Sequence, residues 1–420
     1  IHAIKKWSDP SEINIDWATM GEYLNRLDSM QFGVNFGTFV GYGTLRRGII
    51  GDEVRTLNPE EQGQIKFLIS ESLGNGAFGL SIGLSYGHER ISTTEEIIEI
   101  VRVMQSTRGL VKLHLRSEGK EILSAINEAI IIGREAGVAI EISHLKGIGK
   151  SAWSLIPKAL ALIDTARNSG LDIAFDVSPY HTTGSLLYLL LPAWTREGGF
   201  SELFRRIDYP GDRQKMREEL ERMTLHYDKI FITSAKTKTA VGHTIAELAK
   251  KAELSPEETL INIVRANEGR VTILGRTVSA KNTLLQLQNS NSLIASDGEG
   301  YSQEELRWGN LVHPRSFGAY PHFWHRFVGD RELLSPEVEI QKTTGGPAAR
   351  LQIKNRGVIK KGNFADIVVF DPQLFRDRAT YRNPYRYPAG MEWVLINGKV
   401  GVSQGKHANA RAGKIIRREI

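Results

Sequence analysis

Two histidines close two successive apolar runs of the chain. His114 ends LVKLH in LVKLHLRSE, residues 110–118, and His144 ends AIEISH in AIEISHLKG, residues 139–147. A later run, NSLIASDGEG, ends its apolar part at Asp297. Neutral imidazoles and a carboxylate are zinc-type ligands, and a site of that kind with an open position can activate a water for hydrolysis. Other polar residues fall at comparable places. Tyr86 follows GLSIGLS, Arg116 and Glu118 follow His114, and Lys146 follows His144. Asp176 and Tyr180 stand in LDIAFDVSPY, and Arg315 in HPR. Each has a plainer reading. A lone strand-end histidine is commonly a hydrogen-bonded edge residue, and Lys146 could be a solvated rim residue. Arg116 and Glu118 could pair with each other. Asp297 beside Gly298 suits an N-cap or an Asx-turn. Tyr180 could pack in a loop, and Arg315 could lie exposed on one. Two histidines on successive strands, joined by a strand-end aspartate, favour the metal reading.

The elements that must position these residues alternate in type. Residues 16–30 carry helical spacing through Trp17, Met20, Leu24 and Leu27. GVNFGTFVG, residues 33–41, reads as a strand. Asn58 and Pro59 make an N-cap and a first-turn proline for a helix through Leu73. FGLSIGLSY, residues 78–86, is the next strand, and Thr93 with Glu96 forms a capping box for a helix through Met104. The LVKLHLRSE strand follows, then a helix with Ile122, Ala125, Ile126, Ala129 and Ile130 on one face. AIEISHLKG is a strand, residues 157–168 are helical, and LDIAFDVSPY is a strand again. Alternating strands and helices imply a parallel sheet, open or closed, in an α/β protein. In such sheets ligands bind at the C-terminal strand ends, where the polar residues above collect.

The alternation breaks after Tyr180. Residues 182–290 carry their own helix signals, with capping boxes at Thr244/Glu247 and Ser255/Glu258, and read as an insertion before the Asp297 strand. Residues 346–420 read as a small β-unit, with an Asn397-Gly398 turn between strand-like runs. The domain expectation is therefore a catalytic unit over 1–345, interrupted at about 182–290, and a C-terminal β-domain.

Composition narrows the function classes. The 420 residues include no cysteine, which removes disulfides, zinc-thiolate ligands and a cysteine nucleophile from this chain. No apolar run reaches 18 residues, and the longest candidate, residues 186–194, contains Pro192. No signal peptide is recognisable in the first residues, so a cytoplasmic protein without membrane contact is the expectation. The net charge of +6 comes from scattered basic residues. No stripe with interleaved aromatics points to nucleic acid. A mild positive field favours an anionic small-molecule substrate. Oligomeric state stays open.

The motifs GLSIGLSY, HLRSE, ISHLKGIG, DVSPY, LPAW followed by GG, ASDG, HPRSFGAYP and GVIKKGNFADIVVFDP occur in this order. Together they resemble the N-acyl-D-amino-acid deacylases, or D-aminoacylases, a branch of the amidohydrolase superfamily. The resemblance covers nearly the whole chain and is thinnest in the insertion. It implies a TIM-like (β/α)8 barrel with a Zn2+ site at its C-terminal mouth and a small β-domain built from both chain ends. By matching motifs, His114 would be a zinc ligand from barrel strand five and His144 one from strand six. Asp297 would be the catalytic aspartate ending strand eight. Tyr180 and Arg315 would hold the substrate α-carboxylate, and Lys146 and Tyr86 would line the pocket.

The resemblance also has gaps. Only six barrel strands can be counted, so strands one and two are missing. The family's strand-one His-x-His pair is absent, since position 4 after His2 is Ile4, and its strand-two cysteine is absent too. The expectation is a chain without the family's N-terminal portion and with an incomplete zinc site. The activity implied is hydrolysis of the amide of N-acyl-D-amino acids, with Asp297 as general base and then acid. Rival readings are a cyclic-amide hydrolase of hydantoinase or dihydroorotase type and an inactive, truncated barrel. The strand FGLSIGLS lacks the lysine that hydantoinase-type relatives carbamylate, which disfavours the first rival.

Overall fold

The structure, a computed structural model, describes residues 15–303, 311–329 and 333–419. His2 and Ile4 lie outside the described residues. Five parallel strands come first: β1 (Val40–Gly41), β2 (Gly79–Gly83), β3 (Leu110–His114), β4 (Ala139–Ile142) and β5 (Ile173–Val177). The chain then leaves the sheet. β6 (Thr183–Leu186), β7 (Ile230–Ala235) and β8 (Val271–Gly275) form a separate antiparallel sheet in the order β6-β8-β7. Its apolar residues, with those of the surrounding helices, make a second core centred on Ile230, Ile232, Leu260 and Ile273. β9 (Ser292–Ile294) returns beside β5, so the parallel sheet runs β1-β2-β3-β4-β5-β9. These are the six strands expected from the sequence, in chain order.

The helices between the strands cover the sheet because their apolar stripes must be buried. Ile122, Ala125, Ile126, Ala129 and Ile130 of helix Ile122–Ala136 all lie in the main core, as their spacing predicts. Burying each large side chain of this kind contributes about 1.5–3 kcal/mol. β5 is buried at all five positions, as expected of a parallel strand covered on both faces. Asn58 and Glu61 cap helix Pro59–Gly74 reciprocally, and Pro59 opens it.

Three local expectations need correction. The run 33–41 is not one strand: only Val40–Gly41 pairs with β2, while Phe36 bridges Ile415 near the C-terminus. The Phe36 N–H donates to Lys414 O, and the Ile416 N–H donates to Phe36 O, so the first half of the run serves the chain's other end. Thr93 caps helix Thr94–Val101, but Glu96 does not return the bond, because its carboxylate is taken by Tyr42, Arg46 and Ser92. Ser255 likewise caps Pro256–Ala266 alone, since Glu258 pairs with Arg213. Thr244 and Glu247 do make the full box.

The C-terminal part forms a four-stranded antiparallel meander, β10 (Ile367–Phe370), β11 (Met391–Ile396), β12 (Lys399–Ser403) and β13 (Lys406–His407). Asn397 and Gly398 take φ of 50° and 80° between β11 and β12, the left-handed pair that a tight hairpin requires. Among the described residues, no helix is long and apolar enough to cross a membrane.

Candidate metal centre

His114 is the last residue of β3, on the same face as Lys112. His144 lies two residues beyond β4 and would point to the opposite face from Ser143 by simple alternation. Its φ of 36° breaks that alternation. The turn is held in two places. The His144 N–H donates to Asp176 Oδ1 at 2.8 Å, and the Leu145 N–H donates to the Asp176 carbonyl at 2.9 Å. Lys112 fixes the Asp176 carboxylate from its other side. A non-glycine residue in this region stores strain that the surroundings must hold, a pattern concentrated at functional sites.

The turn brings two rings together edge to face, with centroids 4.7 Å apart. His114 Nδ1 and His144 Nε2 face each other at 3.0 Å. Two nitrogens that each sit ~2.0–2.1 Å from a tetrahedral zinc stand ~3.3 Å apart, so the pair matches that separation within a small side-chain shift. The remote nitrogens are anchored. His114 Nε2 meets Ser85 Oγ at 2.6 Å, and His144 Nδ1 lies 3.2 Å from Glu118 Oε1. This is the arrangement in which outer partners fix the tautomer of ligating imidazoles. Burial pushes the His114 pKa down to about 3, so the ring is neutral and its lone pair available at physiological pH. The ligand atoms of His114, Glu118 and His144 all fall within 4.8 Å of one another. The donor set therefore fits a zinc-type ion, with two imidazoles facing it and a carboxylate close by.

Glu118 does not pair with Arg116, contrary to the plainer sequence reading. Arg116 forks onto Glu128, while Glu118 accepts from Lys146 Nζ at 2.6 Å. Burial raises the Glu118 pKa, but Lys146 and His114 outweigh it and hold the carboxyl well below its usual range. Lys146 Nζ also lies 2.8 Å from His144 Nδ1, so this lysine is not a rim residue.

Asp297 has a φ of 51° and accepts from Arg315 Nη1 at 2.7 Å. Its side chain is 36% exposed against 15% for Arg315. Burial opposes ionisation of Asp297, yet His144, Arg315 and Lys146 together hold its pKa below the ordinary value. The turn at Gly298 is capped by Ser296 Oγ, not by the aspartate, which leaves Asp297 outside the Asx-turn reading. Arg315 opens helix Arg315–Phe323, so it is neither exposed nor on a loop. Tyr180 stacks on His322 with centroids 4.2 Å apart and meets His313 edge-on. Its buried hydroxyl has no hydrogen-bond partner among the described residues. Tyr86 packs its ring 5.1 Å from that of His114, and burial raises its pKa.

A cavity of about 910 Å³ opens beside this cluster, and Tyr86, Lys112, His114, Ser143, Tyr188 and Arg196 are on its wall. Of the residues singled out in the sequence, the structure gathers His114, His144, Lys146 and Tyr86 around one point. Asp297 and Arg315 form a pair coupled electrostatically to His144 and Lys146. Tyr180 sits in a separate aromatic cluster that feels the Arg315 charge. Sequence reasoning missed the linking roles of Ser85, Glu118 and Asp176. Glu118 stands four residues after His114 and Asp176 one strand over, and the HLRSE and DVSPY motifs were the only signals available for them.

A parallel sheet carrying histidines and an aspartate at its C-terminal ends, with a His–Glu–His donor cluster, has the layout of an amidohydrolase-type fold. No family model matches the sequence. The D-aminoacylase of Alcaligenes xylosoxydans xylosoxydans is 28% identical over 406 residues, covering 94% of this chain and 73% of that protein. A solved D-aminoacylase structure, 27% identical, superposes with a TM-score of 0.80 over 96% of this chain and 76% of its own. The N-acyl-D-glutamate deacylase of Bordetella bronchiseptica, solved with zinc and a phosphonate mimic of the tetrahedral intermediate, also gives 0.80 at 26% identity, over 96% of this chain and 75% of its own. The chain is thus similar along nearly its whole length to the D-aminoacylases, or N-acyl-D-amino-acid deacylases, of the amidohydrolases.

Proposed function

We propose that this protein hydrolyses the amide bond of N-acyl-D-amino acids, releasing a carboxylate and a D-amino acid, with zinc held by His114 and His144. The observation that carries the reading is the pair of imidazole nitrogens facing each other at 3.0 Å at the ends of adjacent strands. The parallel sheet is read as an arc of a (β/α)8 barrel. Among the described residues β1 and β9 each have one parallel neighbour.

A bound zinc would supply Lewis acidity for the acyl carbonyl and for the attacking water. Ser85 and Glu118 orient the two imidazoles through their remote nitrogens. Asp297, kept ionised by His144, Arg315 and Lys146, takes the proton of the water and returns it to the departing amine. Arg315 and the unpartnered Tyr180 hydroxyl are suited to the substrate α-carboxylate, because a buried phenol without a partner gains a hydrogen bond when one arrives. Arg315 would share its guanidinium between that carboxylate and Asp297. Lys146, 2.8 Å from His144 Nδ1, and Tyr86, packed beside the His114 ring, would line the pocket near the carbonyl or side chain.

The test compares the zinc-supplemented protein on N-acetyl-D-amino acids, their L-enantiomers and hydantoins. Turnover confined to the N-acetyl-D-amino acids is expected, and Asp297→Asn should lower kcat ~10²–10⁴-fold while zinc stays bound. Turnover of hydantoins alone, or undiminished turnover in Asp297→Asn, contradicts the reading.

A further inference from the structure

Tyr180 keeps its hydroxyl open although a carboxylate stands close by. Its ring lies face to face with His322, the planes 13° apart, and meets His313 at 82°. Asp377, from the stretch between β10 and β11, reaches the same place. A Cβ placed on Gly318 would stand 2.8 Å from Asp377 Cβ and 3.5 Å from the Tyr180 hydroxyl, so a glycine there lets the two approach. Gly318 and His322 are four residues apart on helix Arg315–Phe323, and therefore on one face of it. Burial raises the Tyr180 pKa, and the Asp377 charge adds to the effect.

A buried phenol O–H beside a carboxylate would ordinarily donate to it, because the unmade bond is costly. Here it does not, and the reason is that Asp377 is taken. His322 Nδ1 lies 3.0 Å from Asp377 Oδ2, and against an acceptor-only carboxylate that nitrogen is the donor. The two side chains are 15% and 16% exposed, so little water competes for the bond. Without His322, Asp377 has two effects of one sign. It can accept the Tyr180 proton, and it sets an unshared negative charge beside any carboxylate that approaches.

We propose that His322 is a positioning residue: by engaging Asp377 it keeps the Tyr180 hydroxyl free to donate to the substrate α-carboxylate. This rests on the amidase reading above. His322 acts through Asp377 and Tyr180 and not on the reacting atoms, so its loss should weaken substrate binding and leave the chemical step alone.

The experiment measures kcat and KM of the full, zinc-supplemented chain on N-acetyl-D-leucine and N-acetyl-D-glutamate. His322→Phe keeps the ring stack but releases Asp377. It should raise KM ~10–100-fold with kcat unchanged, as loss of a hydrogen bond to a charged group would. Adding Asp377→Ala to His322→Phe removes the released carboxylate and should return KM to the wild-type value. His322→Asn, whose amide nitrogen can stand where Nδ1 does, should stay near wild type. A KM unmoved by His322→Phe overturns the proposal. So does a raised KM that Asp377→Ala fails to restore, or a His322→Asn as impaired as His322→Phe. Absence of turnover on both substrates sinks the amidase reading instead. Calorimetric titration with the same two compounds then decides: binding weakened by His322→Phe and restored by Asp377→Ala upholds the role of His322, and binding that ignores both changes, or no binding, removes it.

Discussion

Two buried charge clusters of this molecule are built from similar parts and behave differently. On the helical layer, Arg46 donates to Glu96 at 2.7 Å, and Tyr42 and Ser92 close the same group. The Arg46 and Glu96 side chains are 0% and 5% exposed. Charge meets opposite charge inside that cluster, with Arg46 Nε alone left without a partner. At the strand ends, Glu118 and Lys146 also pair, but two imidazoles face each other nitrogen to nitrogen at 3.0 Å beside an open cavity. Buried charge alone therefore does not mark a function. A donor set that its own neighbours orient but do not satisfy does.

Breaking the closed cluster should give the largest loss of stability. Arg46→Ala leaves the Glu96 carboxylate buried without its partner, which costs about 3–5 kcal/mol. Urea unfolding would register it, while zinc affinity per folded molecule should stay the same. A change in zinc affinity would join the two clusters and spoil the contrast.

In the open cluster the expected effect is smaller and of another kind. Glu118→Gln keeps the shape but weakens the hold on His144 and Lys146, and should lower zinc affinity ~10–100-fold with little change in unfolding midpoint. Chelator competition reads the affinity. If stability falls as far as in Arg46→Ala, Glu118 is a structural partner only.

The gentlest perturbation is pH. Burial, reinforced by Arg315, depresses the His313 pKa to about 3, and both ring nitrogens are engaged, with the Thr182 carbonyl and the Arg315 N–H. An unfolded histidine titrates near 6.5, so between these values the unfolded state binds the extra proton. Stability is full above pH ~6.5 and declines as pH falls toward 3, by at most roughly 1.4 kcal/mol per pH unit for this residue. His313→Asn should show a shallower decline over that window, in unfolding curves taken at several pH values. An identical slope would remove His313 from the account.

Much of the frame was legible because parallel strands buried on both faces leave continuous apolar runs. All six sheet strands and the break after Tyr180 follow from that. The run 33–41 misled because its first half is also apolar, yet Phe36 serves Ile415 rather than β2. At the site, residue types were legible and partners were not. Arg116 and Glu118 are two residues apart, but on a strand that spacing says nothing about which distant side chain each meets, and Glu128 and Lys146 win them. Asp297 and Arg315, 18 positions apart, come together only because the chain folds back at Gly298, where Ser296 and Ser316 approach. The φ of 36° that aims His144 at His114 is set by Asp176, and no local signal in AIEISHLKG announces it.

The central claim is that His114 and His144 are a metal site and not a pair of edge residues. Equilibrium dialysis against zinc, with metal content measured on the full chain, tests it most directly. Tight zinc in the wild type, lost in both His114→Ala and His144→Ala while Arg46→Ala retains it, is the predicted result. Zinc that binds equally well without either histidine, or fails to bind the folded wild type, would contradict the account.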